Sequence, residues 1–208
     1  MAAAPPPAAP VPPQPAIRNA ADLSRFIAAR PVLLEPLRTV AALGLPDAWI
    51  GAGFLRNPVR DALADLAPGT NPPGDVDVVW FDPARATAAA DAAIEARLRA
   101  THPDVPWSVR NQARMATRHG DAPYADTLDA MAHWTDTATA VAARLGPGGA
   151  VEVAAPWGVD DLLAGVVRPT PAFTADPARR EVFARRIAMK GWLRRWPGLR
   201  VVHHPPSG

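Results

Sequence analysis

The 208-residue chain balances 22 basic against 20 acidic residues, for a formal net charge of +2, and 49% of it is hydrophobic. That composition belongs to a globular chain with a real core, and its charge alone gives no case for a nucleic-acid partner. Cysteine is absent, which excludes a disulfide framework and thiolate chemistry, and the default compartment is the cytoplasm.

The opening "MAAAPPPAAPVPPQPA" lacks the basic start and continuous apolar core of a secretory signal, and its prolines forbid a spanning helix. It is read as a disordered tail over residues 1–16, ahead of one domain at 17–200 and a flexible end at 201–208. Two short helices follow in "NAADLSRFIAAR" and "EPLRTVAALGL", separated by Pro31. "AWI" is a buried strand that runs into the glycine turn "GAG", and a helix then starts near Asn57, since Pro58 suits only a first turn. After the turn "TNPPGD" comes an acidic strand at 75–81, then a helix that Asp82 caps.

"WSVRNQARMATRHG" begins as a strand and turns helical, and "TLDAMAHW" is a helix. "TATAVAARL", "GPGG" and "AVEVAA" form a hairpin with its glycines in the turn. "GVDDLLAGVVRPTP" is one helical turn and a short extended piece, and an arginine-rich amphipathic helix over 177–196 closes the domain. The fold class is α/β (α+β), a mixed β-sheet flanked by helices.

The acidic strand carries the chemistry. Side chains alternate across a strand, so Asp75 and Asp77 leave the same face of "GDVDVVWFD" while Val76 and Val78 leave the other. Two carboxylates so placed suit hard divalent cations, Mg²⁺ or Mn²⁺, in phosphoryl transfer; the competing reading is a solvated strand face. A third acid on a neighbouring strand usually completes such a site. Glu152, flanked by valines, is the candidate, with Asp160 or Asp161 in its place if the register slips by one. The turn Gly51–Gly53 and the helix after it bring backbone N–H groups to a phosphate.

These residues, "WIGAGFLRNPVRDAL", "DVDVVWFD" and "VEV", resemble the DNA polymerase beta-type nucleotidyltransferase superfamily. "GAGFLRNPVRD" is similar to the glycine segment of tRNA nucleotidyltransferases and poly(A) polymerases. With "PWSVRNQARM", "TDTATAVAARL" and "APWGVDDLLAGVVRPTP", the stretch from about Leu33 to Pro197 resembles a bacterial nucleotidyltransferase-like family. The resemblance implies the polymerase beta-like fold and a metal-nucleotide site. Gly51 and Gly53 match its glycine turn, Asp75 and Asp77 its metal carboxylates, and Glu152 its third acid. Ala52 and Phe54 stand where many members place a serine.

Arg56, Arg110, Arg114 and Arg168 are candidates for triphosphate contacts, with Arg56 and Arg114 preferred and Asn57 beside them. Asn111 and Gln112 either read a base or cap a helix. The tryptophans fill the core, with Trp107 the one placed to stack on a base, and His203 and His204 are incidental. The expected activity is metal-dependent transfer of a nucleotidyl group from a nucleoside triphosphate such as ATP to a hydroxyl, releasing pyrophosphate. The acceptor is expected to be a small molecule or a protein rather than RNA, with no membrane involved. The alternatives are a phosphohydrolase and an inactive nucleotide-binding module.

Overall fold

The computed structural model describes residues 16–204, so all but the last residue of the predicted N-terminal tail lies outside the described residues. Two short helices come first, α1 (Ala20–Ala28) and α2 (Pro31–Ala41). Asn19 caps α1 by accepting the Asp22 N–H at 2.9 Å. α2 begins at Pro31, upstream of the predicted start, because a first-turn residue has no use for the N–H that proline lacks.

β1 (Trp49–Gly51) runs straight into α3 (Gly53–Leu63), which starts four residues before the predicted Asn57 and carries Pro58 inside it. The missing Pro58 N–H forfeits one helix bond; full burial of Leu55 and Val59 outweighs that loss. β2 (Val76–Trp80) and α4 (Ala88–Thr101) follow. Asp82 does cap, but it caps a 3₁₀ turn at Pro83–Arg85, and Thr87 caps α4 by accepting the Ala90 N–H at 3.1 Å. The single helix predicted here is therefore two pieces.

β3 (Trp107–Asn111), α5 (Met115–His119) and α6 (Thr127–Ala132) precede the predicted hairpin of β4 (Ala142–Leu145) and β5 (Val151–Ala154). Its turn holds Gly148 and Gly149 at φ of 79° and 80°, where a side chain would be strained. α7 (Asp160–Leu163) and β6 (Val166–Val167) lead to α8 (Pro177–Lys190) and α9 (Trp192–Arg195), which Gly191 separates with φ of 60°. β7 (Arg200–Val201) pairs in parallel with β6, and the Val202 N–H reaches the Val167 carbonyl at 3.0 Å. Ordered pairing thus runs past residue 200, where the sequence suggested a flexible end. Among the described residues no helix is long and apolar enough to cross a membrane.

The sheet is mixed, in the order β3-β2-β1-β4-β5, with β2 and β3 parallel and the other neighbours antiparallel. One face presents Ile50, Val76, Val78, Trp80, Trp107 and Val109 to a core shared with α1, α2 and α4. Trp107 is buried in that core, so it cannot stack on a ligand at the opposite face. The opposite face carries Asp77, Val79 and Gly51 and is covered only in part.

Candidate active site

Register fixes what surrounds Asp77. Its partners are Gly51 on β1 and Ser108 on β3, and Gly51 in turn faces Ala142 on β4. A side chain at Gly51 would come within 3.1 Å of the Val141 carbonyl and 3.2 Å of the Trp134 ring. The bare backbone there lets β4 and Trp134 close up, leaving Asp77 beside a row of small residues. Asp75 is exposed just before β2, and Asp77 is half-buried. Burial, and then the like charge of Asp75, push the Asp77 carboxyl up to about 6, although the Ser108 hydroxyl bonds to it.

Beside Asp77 the chain turns from strand to helix through Ala52, at φ 54° and ψ −128°, a conformation that favours glycine. No side chain caps α3; the Leu55 N–H donates to the Ala52 carbonyl at 3.3 Å, and the N–H groups of Gly53 and Phe54 and the helix dipole are left for an anion. This corner opens into a cavity of about 490 Å³ lined by Ala52, Asp77, Gln112, Trp134, Arg179 and Arg186, among others. At its far end, Arg179 Nη2 donates to Asp121 Oδ1 at 2.5 Å and the Tyr124 hydroxyl donates to Asp121 Oδ2 at 2.5 Å. Burial and the Asp121 carboxylate hold the Tyr124 hydroxyl well above its usual pKa, so it stays a proton donor.

A family profile described as nucleotidyltransferase matches residues 38–201. The chain belongs to this nucleotidyltransferase family. Among solved structures, an NMR structure that reveals a CCA-adding enzyme head domain matches with a TM-score of 0.80 at 30% identity, over 90% of this chain and 98% of that one. The Thermotoga maritima CCA-adding enzyme complexed with tRNA has the same fold, with a TM-score of 0.52 at 17% identity over 89% of this chain. The match spans only 42% of that enzyme. No curated protein matches in sequence.

In this nucleotidyltransferase the structure brings Gly51, Gly53, Asp75 and Asp77 to one corner, as their spacing implied. It does not bring Glu152 there. Three strand spacings separate β5 from β2, roughly 14 Å, and the row through Asp77, Gly51 and Ala142 ends on Ala154. Glu152 instead faces Arg144 across the hairpin, with Arg144 Nε donating to its Oε2 at 2.7 Å. Asp161 is held by Arg168 at 2.8 Å, which also removes Arg168 from the phosphate candidates. Among the described residues no three acids or histidines are arranged to hold a metal.

The preferred arginines are corrected as well. Arg114 is tied to Asp91, with Nε 2.7 Å from Oδ2, and does not line the cavity. Arg56 lies near Asp77 but is buried, donating to the Thr139 hydroxyl at 2.7 Å and to Asn57 Oδ1 at 3.1 Å. Asn57 is buried too, its amide facing the Pro72 carbonyl at 3.4 Å, so it anchors the loop before β2. Asn111 is a helix cap, accepting the Ala113 N–H at 3.0 Å, whereas Gln112 does line the cavity. Sequence reading missed Ser108, Arg179 and Arg186. Positions 179, 182 and 186 fall on one side of a helix, which the sequence shows, but that this side faces the cavity is seen only in the fold.

Glu152→Gln is therefore expected to leave turnover within about twofold of wild type, since an exposed ion pair contributes at most about 1 kcal/mol. Steady-state rates with saturating Mg²⁺ check this. A loss of a hundredfold or more would return Glu152 to the site.

Proposed function

We propose that the protein transfers a nucleotidyl group from a nucleoside triphosphate to a hydroxyl acceptor and releases pyrophosphate. The observation that carries this reading is the placement of Asp77, with Asp75 beside it, against an uncapped helix start at the floor of a nucleotide-sized cavity.

The residues fit a divalent cation. Burial and Asp75 together raise Asp77, a crowding of negative charge that a cation relieves. Mg²⁺ is commonly held by one or two carboxylates plus the phosphates of the substrate, so two acids suffice. Asp75 and Asp77 would hold it, and bound there it would supply charge neutralisation at the α-phosphate. The chain does the rest. The first N–H groups of α3 hold phosphate oxygens, the Ser108 hydroxyl orients Asp77, and the Asp77 carboxylate receives the proton of the attacking hydroxyl. Trp134 and the small residues around Gly51 limit water at the reacting end.

We assign the acceptor to small molecules or protein side chains. A second cavity, of about 500 Å³, shares Asp121, His133 and Arg179 with the first and gives such an acceptor a separate approach. The Thermotoga maritima relative solved with tRNA is a longer protein, of which the match spans 42%.

The test is thermal stability of wild type and Asp77→Asn against each nucleoside triphosphate, with and without Mg²⁺ or Mn²⁺, coupled to pyrophosphate release. A metal-dependent stabilisation of about 2.7 kcal/mol at a hundredfold excess over Kd, read as a higher midpoint and lost in the variant, is expected. Binding with no pyrophosphate released under any acceptor mixture would favour a nucleotide-binding module.

A further inference from the structure

Three arginines line the cavity that holds Asp77: Arg110, Arg179 and Arg186. Two are already engaged. Arg110 Nη1 donates to the Val109 carbonyl at 2.6 Å and lies 3.6 Å from Glu95, and Arg179 is bound to Asp121 and to the His119 carbonyl. Arg186, on α8, is different. Its Nε is buried with no hydrogen-bond partner among the described residues, and Asp136 Oδ2, 3.9 Å away, is likewise buried and unpartnered.

The surroundings of Arg186 hold more positive charge than they balance. The guanidinium carbons of Arg56, Arg60 and Arg186 lie 4.5, 5.0 and 5.5 Å from the Trp192 ring centroid. All three Arg60 side-chain nitrogens are buried without a hydrogen-bond partner among the described residues. Two carboxylates face these three cations: Asp136, at 0% exposure, and Asp77, whose charge acts on Arg56 and Arg186. Uncompensated buried cations are strongly unfavourable, and an anion placed against them offsets that penalty. Burial above all pulls the Arg56 guanidinium down to about 9; Asp136 and Asp77 oppose the shift, and the like charges of Arg60 and Arg186 add to it. Arg186 is the member of the cluster that reaches the cavity, and its side chain is 30% exposed.

We propose that Arg186 binds the polyphosphate arm of the donor nucleotide, the part that leaves as pyrophosphate; this rests on the nucleotidyl-transfer reading above. Asp77 and Arg186 line one cavity, so an α-phosphate at Asp77 leaves the β- and γ-phosphates to a guanidinium whose planar fork matches phosphate oxygens. The excess charge of Arg56 and Arg60 behind it adds attraction that no surface arginine has. Asp136, on the buried side, positions the guanidinium and does not contact the ligand.

The test measures binding of pyrophosphate, a nucleoside triphosphate and the matching nucleoside monophosphate by the full chain, as wild type, Arg186→Gln and Arg186→Lys. Arg186→Gln is expected to weaken pyrophosphate and triphosphate at least about tenfold while leaving the monophosphate within about twofold, as loss of one charge-assisted contact implies. Arg186→Lys recovers part of the loss. Unchanged pyrophosphate affinity in Arg186→Gln overturns the assignment, as does an equal loss for all three ligands. Selective loss of pyrophosphate binding in a protein that releases none from any triphosphate keeps the anion site and removes the transfer reading. A wild type that binds none of the three removes both.

Discussion

Asp77→Asn is expected to raise the melting temperature of the metal-free protein and, in the same molecule, to reduce nucleotidyl transfer by at least about a hundredfold, a typical effect of removing one group that stabilises transition-state charge. The stability half follows from the raised pKa. Burial pushes the Asp77 carboxyl up to about 6 in the fold from its ordinary 3.8, so between those pH values the folded state holds a proton that the unfolded chain has lost. Ionising Asp77 above pH 6 therefore destabilises the fold, by at most about 3 kcal/mol for two pK units, and below pH 3.8 the penalty is gone. Partial exposure screens the carboxylate and lowers the figure. Asparagine keeps the shape and a hydrogen bond to Ser108 without the charge. For a chain of this size each kcal/mol moves the midpoint by about 2–4 °C. Melts in EDTA from pH 5 to 8 should show the variant ahead of wild type by a few degrees at pH 8, with the gap closing towards pH 5. Mg²⁺ should narrow the gap at pH 8 by stabilising wild type alone. A variant that is less stable than wild type at pH 8, or that still turns over, would falsify the placement of Asp77 as a crowded, functional carboxylate.

The half of the site that lies on consecutive elements was legible in the sequence. Strand alternation put Asp75 and Asp77 on one face, and glycines at the end of a buried strand marked the turn before α3. The half that depends on non-local register was not. Glu152 has the right residue type on the right kind of strand, but local periodicity is silent on which strands are neighbours, and β1 with β4 separates it from β2. The arginines failed for a related reason. Arg114 and Arg168 look free in sequence because their partners, Asp91 and Asp161, are 23 and 7 residues away. Arg186 was submerged in an arginine-rich helix whose solvated face and cavity face read alike until the fold assigns them. Two helix starts were misplaced because a proline was taken to end or begin a helix, whereas α2 starts on Pro31 and α3 carries Pro58 inside it.

Asp91→Ala is expected to give a large loss of stability, because that single carboxylate joins the elements behind Asp77. Asp91 lies in α4 at 1% exposure. Its Oδ1 accepts from Trp80 Nε1 at 2.9 Å and from the Asn111 N–H at 2.8 Å, and its Oδ2 accepts from Arg114 Nε at 2.7 Å. Trp80 ends β2, the strand that carries Asp77, and Asn111 ends β3, whose Ser108 faces Asp77. Truncation leaves an indole N–H, a backbone N–H and a half-buried guanidinium without their acceptor. Breaking one side of a buried pair in this way is worth about 3–5 kcal/mol, which corresponds to a fall in midpoint of roughly 6–20 °C. Arg114→Ala added to Asp91→Ala should restore part of the loss, since the stranded cation goes with it, and the double-mutant cycle measures that share. Well below the midpoint, turnover per folded molecule should stay within a few fold of wild type, because Asp91 touches no residue that lines the cavity through its side-chain bonds. A small change in midpoint would mean that β2 and β3 hold their register without this anchor. A hundredfold drop in turnover at low temperature, with the midpoint preserved, would instead return Arg114 to the triphosphate contacts for which the sequence made it a candidate.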